Sequence, residues 1–79
     1  MTCAFFSPVI NYGGEEGSET PPNYWPKAMY FLDGLNINCT TRSWVVVDNV
    51  PVSCEVVCDI DEATKARVLA IDGVYEVDL

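Results

Sequence analysis

Residues 43–60 read SWVVVDNVPVSCEVVCDI, and this stretch decides the fold. β-Branched residues crowd both halves, the signature of strands with a buried side. Asp48-Asn49 lies between them, and Asn tolerates the positive φ of a tight turn. A two-residue loop there pairs Val47 with Val50 and Val45 with Val52. On the second strand Val50, Val52, Cys54, Val56, Cys58 and Ile60 share one face, expected to be the core. Ser53, Glu55 and Asp59 share the other. A slip of one residue would bury Glu55 and Asp59, so the pattern fixes the register.

Downstream, residues 61–72 read as a helix. Asp61 is an N-cap candidate, and the negative charge of Glu62 suits the positive end of the helix dipole. Ala66, Leu69 and Ala70 form the expected buried stripe, flanked by Val68 or Ile71, with Lys65 and Arg67 on the polar side. Gly73 is placed to end the helix in the left-handed conformation. VYEVDL then reads as a last strand.

Upstream, residues 25–35 (WPKAMYFLDGL) admit two readings. Pro26 suits a first helical turn and Gly34 a helix end, giving a helix over about 26–33. Asp33-Gly34 is equally a hairpin turn signal joining AMYFL to LNINC. The apolar run 28–32 is continuous, so periodicity does not separate them. The alternation of Leu35, Ile37 and Cys39 favours the hairpin. Residues 13–24 (GGEEGSETPPNY) form an acidic Gly/Pro loop. Residues 1–12 read as an N-terminal strand or extended arm, with Pro8 arguing for an edge position.

The expected fold class is therefore α+β, a single domain with its compact part over 25–79. It has a small antiparallel sheet of about four to six strands and one helix at about 62–72. The strand–helix–GVYEV pattern of the last third resembles the second half of a ferredoxin-like fold. The resemblance extends to a full βαββαβ plan if 26–33 is helical. That fold hosts many activities, so it implies no function by itself.

Charge excludes more than it assigns. Twelve acidic residues face four basic ones, a formal charge of −8, with no histidine, yet 49% of the chain is hydrophobic. Such a chain repels nucleic acid and anionic membrane surfaces, which need clustered Lys and Arg. It suits a basic protein surface or self-association. No apolar run approaches the length of a membrane span. Met1 to Tyr12 lacks the basic region and long apolar run of a signal peptide, so cytoplasmic synthesis is the expectation.

The four cysteines are Cys3, Cys39, Cys54 and Cys58. On a strand, Cys54 and Cys58 lie about 13 Å apart, too far for one zinc ion with Zn–S bonds of about 2.3 Å. Buried thiols are the favoured reading, with a cross-strand disulfide such as Cys39 with Cys54 the alternative. Asn38-Cys39-Thr40 matches the short N-glycosylation pattern, taken as coincidence in a chain without a secretion signal. Without histidine the usual base for a Ser or Cys nucleophile is missing. The run Asp59-Ile60-Asp61-Glu62 lacks the glycine-centred calcium loop, and Gly13-Gly14 lacks the Lys-Ser/Thr of a phosphate loop. No catalysis, cofactor or metal is expected.

Two functions remain. The first is a non-catalytic structural or assembly protein. A decoration, minor capsid or tail accessory component of a phage-like virion fits the composition, binding through the N-terminal arm and a sheet edge. Its candidate contacts are the aromatics Phe5, Phe6, Tyr12, Tyr24 and Trp25. The alternative is an acidic inhibitor that blocks a basic, nucleic-acid-binding surface of a host enzyme, using Glu55, Asp59, Glu76 and Asp78. A small regulatory or adaptor domain is a third possibility that the sequence does not separate from the first.

Overall fold

The computed structural model describes residues 1–11 and 23–79. In chain order the elements are β1 (Thr2–Asn11), β2 (Tyr24–Pro26), α1 (Lys27–Asp33), β3 (Cys39–Val47), β4 (Val50–Asp59), α2 (Glu62–Leu69) and β5 (Tyr75–Val77). Tyr12 and nearly all of the expected 13–24 loop lie outside the described residues. Of that loop, Asn23 and Tyr24 are described, and Tyr24 opens β2.

The β3–β4 hairpin forms around the turn that the sequence marks. Asp48 and Asn49 both take positive φ, 50° and 65°, the backbone of a primed two-residue turn whose twist matches its strands. Val47 faces Val50 as expected, but Val45 faces Ser53 rather than Val52. Two compensating irregularities cause this. Between Arg42↔Glu55 and Val45↔Ser53, β3 carries one residue more than β4, and Ser43 there has φ 54°. Between Val45↔Ser53 and Val46↔Pro51, β4 carries the extra residue, Val52. Each is a bulge, and together they restore the register. Past them the alternation is broken, so Ser53 is buried and Val52 exposed, whereas Cys54, Val56, Cys58 and Ile60 reach the core as expected.

The sheet is antiparallel throughout, ordered β2-β1-β4-β3, with β5 also on β1. The first strand is thus an interior strand, not an arm or an edge. One side pairs with β4 from Thr2↔Asp59 to Pro8↔Ser53. The other side is shared by β5, along Ala4–Phe6, and β2, along Val9–Asn11. Pro8 falls between those two partners, which reconciles an imino acid with a central strand. Without β2, the element order β-α-β-β-α-β and the lateral order β5-β1-β4-β3 are those of the ferredoxin-like plan.

That plan requires α1, and residues 27–33 are helical rather than one arm of a hairpin. Gly34 has φ −62°, so Asp33-Gly34 does not make a primed turn; the left-handed residue is Asn36. The helix wins because Ala28 and Leu32, four apart, both bury completely against the sheet. Its start is capped from a distance. Pro26 occupies the N-cap position without a side-chain hydrogen bond. Ser7 on β1 supplies one instead: its Oγ accepts from the Ala28 N–H at 3.1 Å and donates to the Pro8 carbonyl oxygen at 3.0 Å. Both Ser7 and Ala28 are fully buried. Ser7→Ala leaves a buried N–H without a partner and is expected to cost about 1–3 kcal/mol. Urea unfolding measures it, and a loss well under the lower bound would show that the cap is dispensable.

The second helix begins at its expected cap, with Asp61 accepting from the Thr64 N–H at 2.8 Å. These bonds hold the Asp61 carboxyl below the usual carboxylate range. It ends at Leu69, earlier than 72, because the chain turns at once: Ile71 N–H bonds to Val68 O and Val74 N–H to Ile71 O. Its buried residue is Val68, with Thr64, Lys65 and Ile71 half-buried beside it. Ala66, Leu69 and Ala70 face out, contrary to the expected stripe. Two contacts hold the helix in this rotation. Lys65 Nζ lies 3.0 Å from Glu76 of β5, and the Arg67 guanidinium lies 5.2 Å above the Phe31 ring of α1.

Both helices cover the same face of the sheet. The core between them contains Cys3, Phe5, Ala28, Leu32, Cys54, Val56, Cys58, Ile60, Val68 and Val74.

Candidate functional site

The most unusual surface lies at the far end of the β3–β4 hairpin. β3 is a lateral strand of the sheet, and among the described residues it pairs with β4 alone. Beyond the bulge at Ser43 both faces of the ribbon are bare. Trp44, Val45, Val46 and Val47 are 43–55% exposed, and Val52 across from them is 41% exposed. Alternating residues of a strand point to opposite faces, so four consecutive exposed residues mean that neither face is covered. Scattered exposed apolar residues are ordinary, but a contiguous set on an unpaired edge is not. The indole of Trp44 is held against its own strand by Nε1–H donation to Thr41 Oγ1 at 3.2 Å.

The electrostatics of this edge are also distinctive. Residues 34–47 contain no carboxylate, in a chain with twelve. Arg42, their one cation, is engaged within the molecule. Its Nε lies 2.7 Å from Glu55 Oε2, and its Nη2 donates to the Asp78 carbonyl oxygen at 3.0 Å. The edge is therefore apolar and nearly neutral.

The residues expected from the sequence to contact a partner have other surroundings. Phe5 has no exposed surface and is a core residue, because β1 is interior. Phe6, on the opposite face of β1, stacks on Tyr75 of β5 with ring centroids 4.8 Å apart. Tyr24 is half-buried and pairs in register with Asn11. Trp25 meets Tyr30 edge-on at 6.5 Å, and its Nε1–H donates to Asn23 Oδ1 at 2.8 Å. Three of the four expected acidic contacts face cations of the chain itself. Glu55 pairs with Arg42, Glu76 with Lys65, and Asp59 lies 2.9 Å from the Met1 ammonium. Asp78 lies beyond β5 and offers its backbone carbonyl to Arg42. The structure does not gather the four into one free acidic face. The sequence pattern places Val52 on the core face and gives Val45, Val46 and Val47 no face, although they lie in its best-read part. Their one readable signal was three successive valines after Trp44, which no alternating pattern can bury on one side.

Two other features compete for a role. An open groove of about 480 Å³ runs between the end of β1 and the two helices. Ile10, Tyr30, Phe31, Leu35 and Ile71 line it, with Lys27 its one ionisable side chain other than the Tyr30 phenol. The buried cysteines are free thiols. Burial pushes Cys54 up to about 11 and Cys58 up to about 12, and raises Cys39 as well. Near neutral pH they carry their protons, the form that packs rather than attacks. Among the described residues, no three potential ligands surround a common metal position, and no helix is long and apolar enough to cross a membrane.

No protein family, curated protein or solved structure matches this chain.

Proposed function

We propose that this protein is a non-catalytic assembly module that associates with a second copy of itself through the open edge of β3. Two copies pair antiparallel along Trp44–Val47, joining their sheets. The observation that carries this reading is the run of four exposed apolar residues on a strand whose outer edge has no partner among the described residues. Such an edge completes its backbone hydrogen bonds by adding another strand. The charge distribution argues for a like partner. At −8, two copies repel over most of their surfaces. The carboxylate-free segment 34–47 is where they approach without bringing acid against acid. Particle or capsid assembly, as the composition suggests, is one setting for such a module. The inhibitor reading is less favoured, because Glu55, Asp59 and Glu76 are engaged by internal cations.

Sedimentation of the 8.7 kDa chain over a range of concentrations tests the proposal. The expected result is a dimer that tightens with added salt as repulsion between the acidic bodies is screened. An acidic inhibitor bound to a basic partner would instead weaken with salt. Val46→Lys places a charge from each copy beside the two-fold axis of the pairing edge, where Val46 of one copy lies opposite Val45 of the other. It is expected to weaken dimerisation by at least about tenfold, corresponding to about 1.4 kcal/mol, while far-ultraviolet circular dichroism stays unchanged. A wild-type chain that remains monomeric at all concentrations, or a variant that dimerises as well as its parent, overturns the proposal.

A further inference from the structure

Three cysteines stand in a row across three neighbouring strands, on the face covered by the helices. Cys58 of β4 lies opposite Cys3 of β1 on one side and opposite Cys39 of β3 on the other. The two pairs are not equivalent, and the backbone tells them apart. At the start of the β1–β4 ladder, Met1 and Ile60 exchange both of their backbone hydrogen bonds, each at 2.8 Å. In an antiparallel ladder the bonded and non-bonded pairs alternate, so two residues further along Cys3↔Cys58 is again a bonded pair. The amide and carbonyl of Cys58 therefore point at β1, leaving Cys39↔Cys58 as the non-bonded kind. Bonded pairs hold their Cα atoms about 5.5 Å apart and non-bonded pairs about 4.5 Å, with the side chains closer. Both separations lie inside the range of roughly 4.4–6.8 Å that a disulfide spans, so the closer side chains of the non-bonded pair are what favour Cys39 with Cys58.

Side-chain contacts agree with this difference. The Cys39 and Cys58 thiols lie near enough to shift one another's proton affinity, and Cys39 acts on Cys58 more strongly than Cys3 does. Cys3 Sγ and Cys39 Sγ each also approach the carbonyl oxygen two residues back in the chain, Met1 at 3.9 Å and Ile37 at 3.7 Å. Cys39 is half-buried at the sheet edge, whereas Cys3 and Cys58 are buried, so Cys39 is the thiol that a reagent reaches first. The pairing that the sequence suggested, Cys39 with Cys54, is not available in this register.

We propose that Cys39 and Cys58 form an intramolecular disulfide by exchange with a small-molecule disulfide of the glutathione type. The Cys39 thiolate attacks one sulfur of the reagent, making a mixed disulfide and releasing one thiol. Cys58, as thiolate, attacks Cys39 Sγ and releases the second thiol. Overall, one reagent disulfide is reduced to two thiols as two protein thiols are oxidised to one disulfide. The bond ties β3 to β4 at the base of the hairpin whose tip is the exposed edge. It does not depend on how that edge is used.

The test is incubation of the intact, folded chain with oxidised glutathione, followed by mass spectrometry of the chain and of its peptides. The expected product has lost two hydrogens and carries a single Cys39–Cys58 link, reversed by dithiothreitol. Formation accelerates as pH rises, since burial holds both thiols above their ordinary range and the thiolate is the attacking form. Cys3→Ser leaves the product and its rate unchanged, whereas Cys39→Ser abolishes it. Circular dichroism confirms that each variant is folded. A predominant Cys3–Cys58 link, a link through Cys54, or a chain that stops at the mixed disulfide on Cys39 overturns the proposal.

Discussion

Replacing Phe5 by alanine is expected to abolish the folded state at 25 °C. Phe5 is the largest fully buried side chain, on the one strand that pairs with β4, β5 and β2. Truncating a buried phenylalanine costs about 3–5 kcal/mol. A single core in a chain of this size rarely supplies more than about 3–5 kcal/mol in total. The loss and the reserve are of the same size, so Phe5→Ala should show no cooperative melting transition. Phe5→Leu keeps most of the volume and is expected to remain folded, at a cost of about 1 kcal/mol. A cooperative transition in Phe5→Ala close to that of the parent would mean that the core is organised around another residue.

The second large effect is expected at Gly73. Its φ of +83° lies where a side chain is strained, and a Cβ there would sit 2.8 Å from Cγ of Pro8. Pro8 cannot swing away, because its ring is closed on a strand inside the sheet. Left-handed strain of about 1–2 kcal/mol and overpacking of about 1–3 kcal/mol together place Gly73→Ala at about 2–5 kcal/mol. The two contributions separate in a double-mutant cycle. In a Pro8→Ala background the steric part disappears, and Gly73→Ala should cost only the strain. Equal costs in the two backgrounds would show that Pro8 is not the obstacle.

Local chemistry made much of this fold legible. Asp48-Asn49 announced its turn, Asp61 its helix start, Gly73 its left-handed residue, and Cys54 to Ile60 their inward face. Each of these depends on neighbours only a few positions away. The features that escaped reading are set by distant partners. Residues 27–33 carry both turn and helix signals with the hairpin slightly favoured, and the balance is tipped to helix by burial of Ala28 and Leu32 against the sheet and by the cap from Ser7, twenty-one positions before Ala28. Pro8 signalled an edge, whereas its strand is central because β5 and β2 leave a gap opposite the ring. The stripe on α2 was misplaced because Glu76 and Phe31 set its rotation through Lys65 and Arg67. At the candidate site, exposure of Trp44 to Val47 followed from two bulges that no periodicity encodes. The acidic surface was correctly counted but not located, since pairing with Arg42, Lys65 and the terminal ammonium is a property of the assembled sheet.

The position of β1 also has a consequence for how the chain folds. β1 pairs with β4 on one side and with β5 and β2 on the other, and its β4 and β5 partners lie more than forty residues further along the chain. Contacts of such long sequence separation must pay loop closure before they return any energy, which slows folding. On the ribosome, Ala4–Phe6 lack their β5 partner until Tyr75–Val77 has left the exit tunnel. The β3–β4 hairpin, whose pairing is local, is complete well before then and offers β4 as the template onto which the waiting strand docks.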